Sequence, residues 1–465
     1  MDVVHEAVLR DQWGALRPEF LSDLKGAIGG QDGKQARTLT RELHAADLAD
    51  VMEAIGSSDS IVLINLLGKN FDVEALAELD SGTRDAVVEE LPPEVMVNAI
   101  KRLDTDDAVY LIEDLDRQQR SEILAKIPKE DRVALNRALD YPEDTAGRLM
   151  QTDYVAVPEF WNVEKVLDHT RATRGLPDDF SEIYVTNASF HLIGWLPLSR
   201  ILRANRFKPV KDLMDDDQVP LKVTDTKEEV AYQFEQYNLV SAPVIDANGR
   251  LVGVLTVDDV VDIIQERAED DMLRLGGVAA SEELLSSVVS ITRSRFSWLF
   301  VNLLTAILAS WVISWFDATI QQMVQIAILM PIVASMGGNA GTQTMTVAVR
   351  ALATRQLGPF NAIRVVFREC SVGLINGFLF ALIMGLFTWW WFGFQALGLI
   401  IALAMIINLL AAALAGILLP LALDKLDQDP AVSAAVFLTT VTDVTGFFSF
   451  LGLATLWLKM GGGFH

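Results

Sequence analysis

Apolar residues follow two different rules on either side of residue 293. Behind it, five stretches stay apolar for about the 20 residues that cross a bilayer: 296–316, 320–336, 372–394, 397–420 and 434–458. In front of it, apolar positions recur at helical spacing in short segments up to about residue 140, and then alternate between strand-like and helical runs. The fold class expected is a multi-domain membrane protein. An all-α superhelical N domain covers 1–140, tandem α/β copies cover 141–204 and 205–260, an acidic connecting helix covers 261–292, and an α-helical five-span transmembrane domain covers 293–465. Leu43, Asp47, Met52 and Glu53 are echoed by Leu103, Asp107, Ile112 and Glu113, a weak sign of stacked helices. The α/β repeat is clearer, because 183–202 superposes on 242–261 without gaps.

Charge divides at the same place. The 465 residues carry a net −24, yet eight basic and six acidic residues follow position 292, a local +2 that leaves −26 in front. Such a front end disfavours nucleic acid as a partner, because phosphate binding needs a basic surface. The single cysteine, Cys370, excludes an intrachain disulfide and a thiolate metal cage. Arg293 and Arg295 precede the first span, and Arg350, Arg355, Arg364 and Arg368 lie between the second and third, whereas the opposite connections lack Lys and Arg. The positive-inside rule then places the N-terminus in the cytoplasm and the C-terminus outside. No apolar stretch near residue 1 suggests a cleaved signal.

Two places hold candidate chemistry. Asp443 is the ionisable residue deep inside a span, and Thr439 and Gly446, at i−4 and i+3, share its helical face. A carboxylate at that depth costs several kcal/mol and by default faces a watery path or a partner, against the plainer alternative of a helix-packing hydrogen bond. The second span runs into Gly337-Gly338-Asn339-Ala340-Gly341-Thr342-Gln343, where Asn339 and Gln343 share a face if the helix continues. Their amide oxygens suit a cation or its hydration shell, while Gly337 and Gly341 have the spacing that brings helices close. Asn302, Asn376 and Asn408 are read as interhelical hydrogen-bonding residues. Before the first span, Asp258, Asp259, Asp262, Glu266, Glu269 and Asp270 load one helix with acid. Such a face is usually just solvated, but like charges at this spacing repel until something neutralises them.

The tandem copies, opened by Leu149-Met150 and Leu213-Met214, resemble a pair of cystathionine-β-synthase (CBS) domains, more closely in the second copy than in the first. With Pro331, the Gly-rich run, Asp429-Pro430-Ala431 and Thr439-Thr440-Val441-Thr442-Asp443-Val444 followed by Gly446-Phe447, the whole chain resembles the MgtE family of magnesium channels. The chain departs from the family's usual run at Ser433-Ala434-Ala435-Val436. The resemblance implies that Asp443 holds hydrated Mg2+ in a pore, with Asn339, Gln343, Thr439 and Gly446 around it. It implies regulatory Mg2+ at Glu266, Glu269 and Asp270, with Asp258, Asp259 and Asp262 beside them, at Asp225, and at N-domain acids for which Asp104, Asp106 and Asp107 are the candidates. It further implies a homodimer in a bacterial plasma (inner) membrane, with Mg2+ as both cargo and regulator. CBS pairs often bind adenine nucleotides, so ATP is a candidate ligand, although no nucleotide fingerprint or P-loop is present.

On that reading, abundant cytoplasmic Mg2+ bridges the acidic faces and shuts the pore, and scarcity lets them repel and open it. A proton-coupled divalent-cation transporter using Asp443 as the exchanging carboxylate is the alternative. An enzyme is not expected, because His5, His44, His169, His191 and His465 are scattered and form no catalytic spacing.

Overall fold

A computed structural model describes residues 9–173, 175–177, 179–217, 219–276, 278, 288–358, 360–426, 428 and 430–461. The chain forms two compact units, 1–266 and 267–465, each considered by itself. Asp429, His5 and His465 lie outside the described residues.

Among the described residues, nine short helices follow one another from Pro18: α1 (Pro18–Gly29), α2 (Gly33–Thr40), α3 (Ala45–Ile55), α4 (Ser57–Leu67), α5 (Ser81–Glu90), α6 (Pro93–Ile100), α7 (Thr105–Ile112), α8 (Arg117–Lys126) and α9 (Lys129–Leu139). Isolated helices this short are marginal in water. Local signals set their ends. Asp32, Asp80 and Asp116 cap α2, α5 and α8 by accepting from first-turn amides, and Pro18 and Pro93 start α1 and α6. One contiguous core, running from Phe20 through Leu63, Met96 and Ile112 to Leu135, supplies the stability.

A short helix, α10 (Ala146–Leu149), leads into two copies of one α/β motif. The first holds β1 (Ala156–Pro158), α11 (Val163–Ala172), β2 (Glu182–Thr186), β3 (Leu192–Pro197) and α12 (Leu198–Arg203); the second holds β4 (Leu221–Lys222), α13 (Lys227–Tyr237), β5 (Ser241–Ile245), β6 (Leu251–Thr256) and α14 (Val257–Leu275). In each sheet the first strand pairs parallel to the second and the second antiparallel to the third. The repeat extends to detail. Register shifts occur at Val185/Thr186 and again at Val244/Ile245, and the side chains of Asn187 and Asp246 each accept from amides two and four residues on.

The leading residues of the copies are exchanged. Met150 is fully buried in the core of the second sheet, with Gln151 bridged to Val254, whereas Met214 packs in the first core, with Asp215 bridged to Trp195. Gly253 and Gly194 make room: a Cβ on Gly253 would stand 2.6 Å from the Met150 sulfur and 2.7 Å from the Gln151 carbonyl oxygen. Gly253→Ala is therefore expected to cost about 1–3 kcal/mol, read as a lower denaturation midpoint of the full chain.

Among the described residues, the second unit contains five helices long and apolar enough to cross a membrane. They are α15 (Val288–Ser314), then, after the short α16 (Asp317–Gln322), α17 (Val324–Ala353), α18 (Ala362–Phe392), α19 (Gln395–Asp424) and α20 (Pro430–Lys459). Met323, Leu329, Ile401, Met405, Phe450 and Leu451 form their shared core, and α19 is the most buried span. The second span does not stop where its hydropathy falls: α17 carries the Gly-rich run inside one helix of 30 residues.

Candidate cation sites

In the first unit, the acids that the sequence separates by some 150 positions come together. Asp106 and Asp107 stand in the first turn of α7, and Asp258, Asp259 and Asp262 in the first turns of α14. Both carboxylate oxygens of Asp106 are buried, beside the carboxylate of Asp259. Burial, and after it the charge of Asp259, holds the Asp106 carboxyl well above the ordinary range. Asp107 is pushed up to about 7 by burial and then by Asp259, Asp104 and Glu78. Asp259, pushed up to about 6 by burial, accepts from the Thr256 hydroxyl at 2.8 Å. Glu78, raised by burial and by Asp262, completes the group; no local motif marks it in the sequence.

Such a junction repels itself unless protons or cations enter. Among the described residues, no three His, Cys, Asp or Glu side chains converge into a ready-made coordination shell. The sign of the pH effect follows. Carboxyls raised in the assembled junction stabilise it at low pH, and that contribution is lost as pH rises from the ordinary carboxylate range through about 7. A bound cation must displace those protons, so its affinity for the full chain is expected to weaken by about tenfold between pH 8 and pH 6, with proton release. Calorimetry in two buffers of different ionisation enthalpy measures both quantities.

Two contacts beside the junction need no ion. Thr105 and Thr152 share a hydrogen bond of 2.6 Å, and Arg148 lies 3.6 Å from Glu113, beyond the end of α7. The other expected regulatory residues are placed differently. Asp225 accepts from the Lys222 amide and closes the turn after β4, and Glu266 pairs with Lys227. In the second unit, Asp270 pairs with Arg274, and Glu269 lies one residue before it on α14.

The membrane unit gathers its polar residues at one level. Asp443 is half-buried near the middle of α20. A Cβ on Gly341 would stand 2.7 Å from Leu438, so the Gly-rich run of α17 lies against the stretch of α20 before Asp443. Asn339 and Gln343 share an exposed face of α17, and Thr439 is exposed on α20. The hydroxyls of Thr439, Thr440 and Thr442 donate to carbonyls of their own helix, which leaves oxygen lone pairs free to accept. Gly446 is buried and faces Asn408 of α19. Asn408 in turn donates to the Val333 carbonyl of α17 at 2.8 Å, an interhelical hydrogen bond as expected.

The chain matches three families: "MgtE intracellular N domain" over residues 43–144, "CBS domain" over 210–266 and "Divalent cation transporter" over 330–453. The chain belongs to the MgtE family. Two relatives span nearly its whole length. The magnesium transporter MgtE of Bacillus subtilis is 25% identical, covering 92% of this chain and 95% of the relative, and that of Thermus thermophilus is 29% identical, covering 94% and 98%. Among solved structures, the cytosolic domain of the Mg2+ channel MgtE in complex with ATP covers 52% of this chain and 99% of its own, at 29% identity and a TM-score of 0.48. The second CBS copy falls in a matched region, and the MgtE transporter match includes Asn339, Gln343 and Asp443.

Proposed function

We propose that this MgtE-family chain is a Mg2+-selective channel of the bacterial plasma membrane, admitting the ion down its electrochemical gradient and closing when cytoplasmic Mg2+ binds its acidic junctions. The observation that carries the reading is the buried Asp106 carboxylate set against that of Asp259 where α7 meets α14. An assembled junction of this kind binds cations better than a separated one, and a ligand shifts an equilibrium only by such a difference. In the membrane unit, Asp443 holds the hydrated ion. Asn339, Gln343 and Thr439, exposed at membrane depth, accept hydrogen bonds from its waters. Polar side chains on the outer face of spans are poorly suited to lipid, which supports a homodimer in which a second copy closes the path. The arginine-rich connections support a cytoplasmic N-terminus and an external C-terminus. ATP is proposed as a ligand of the CBS pair on the strength of that fold alone.

Proteoliposomes separate this reading from proton-coupled transport. Mg2+ uptake is expected to be indifferent to an imposed pH gradient when the membrane potential is clamped, and to fall as Mg2+ is raised on the N-terminal side. Uptake that scales with the pH gradient would instead support exchange on Asp443.

A further inference from the structure

Asn408 is an unusual residue for the middle of a buried span. Its side chain is fully buried in α19, and its Nδ2 donates to the Val333 carbonyl of α17. Its Oδ1 is buried with no donor, so the amide gives up one hydrogen bond to sit there. Glycines on two other helices make the space. A Cβ on Gly337 of α17 would overlap the Asn408 amide nitrogen, and one on Gly446 of α20 would stand 2.9 Å from it. A side chain of this size at either position is excluded, and the amide bonds one of these helices directly.

The two glycines lie beside the polar residues. Gly337 is two positions before Asn339, and Gly446 is three after Asp443. We infer that Asn408 is a positioning residue for selectivity: keyed between Gly337 and Gly446, it fixes the axial offset of Asn339 against Asp443. The logic is that of a buried asparagine that sets the register of packed helices while lowering their stability. An ion that keeps its water shell is discriminated by the spacing of the oxygens that receive those waters, so a shift of α17 along α20 changes which shell fits. The inference rests on Asp443 holding the ion.

The test uses the full-length protein in proteoliposomes, comparing uptake of Mg2+, Ca2+ and Co2+ at equal reconstituted amounts. A hydrogen bond between membrane helices corresponds to a factor of about three to twenty. Asn408→Ala is accordingly expected to keep Mg2+ uptake within about tenfold of the parent but to lower the Mg2+ to Ca2+ ratio by about tenfold. Gly337→Ala alone should abolish uptake, and adding Asn408→Ala should restore it, because removing the amide vacates the space that the new methyl needs. Asn408→Leu, nearly isosteric and without a donor, covers the case in which the alanine variant does not fold; a lowered ratio is expected there too. A parental ratio in a folded Asn408 variant, or full activity of Gly337→Ala by itself, overturns the inference. Asp443→Asn is the control that separates the two readings. If it transports normally, the ion-holding role falls; if it is inactive while Asn408→Ala keeps the parental ratio, only the role of Asn408 falls.

Discussion

Replacing Asp443 by asparagine is expected to lower Mg2+ uptake into proteoliposomes by at least about tenfold while leaving a folded, monodisperse protein. The substitution keeps the size and hydrogen-bonding reach of the side chain and removes only its charge. Held through its water shell roughly 5 Å away, a doubly charged ion gains about 1.7 kcal/mol from one carboxylate even at the dielectric of bulk water, and several times more in a partly desolvated span. That lower bound alone is worth more than a factor of ten. A homodimer would lose two such charges from one path. The half-buried site on α20 tolerates an amide, because the neighbouring threonines spend their donors on their own helix and offer acceptors. Parental uptake by the asparagine variant would remove the permeation role from this residue.

The second large effect concerns closure. Neutralising Asp106 and Asp259 together, as Asp106→Asn and Asp259→Asn, is expected to leave uptake high at Mg2+ concentrations that shut the parent, shifting the inhibitory midpoint by at least about tenfold. Two opposite tendencies follow from the junction. Removing like charges relieves repulsion, which favours assembly without the ion, and it also removes the differential affinity through which the ion acts. The loss of Mg2+ dependence is therefore the decisive readout, whichever resting state results. Protease protection of the first unit, titrated with Mg2+, should flatten in parallel. A variant that closes at the parental concentration would exclude the Asp106–Asp259 junction as the sensor. Neutralising Glu269 and Asp270 in the same background asks separately whether the later part of α14 contributes.

How much of this could be read from the sequence depends on distance along the chain. The five spans were legible because an uninterrupted apolar run of that length has few other uses, and the CBS repeat because a turn residue and its strands recur at a fixed offset. The length of α17 was not legible. Glycine lowers both hydropathy and helix propensity, so the run after Met336 looks like an ending; contact with Asn408 and Leu438 carries the helix on to Ala353. Periodicity put Gly446 on one stripe with Asp443, but only packing could reveal that it faces Asn408. In the first unit, pattern identified the acids on α7 and α14 separately. Their convergence, the inclusion of Glu78 and the burial of Asp106 depend on how distant segments meet, which no local window contains.

The exchanged leading residues of the two CBS copies have a consequence for dissection of the protein. Cutting between residues 204 and 205 would strip the first sheet of Met214 and leave Met150 without the second sheet that buries it. Half of the pair would then expose an apolar slot and a strand edge that the other half normally fills. The repeat is a unit of sequence but not a unit of folding. A perturbation that loosens one copy must loosen the other, so the pair transmits as one body whatever is sensed at either end.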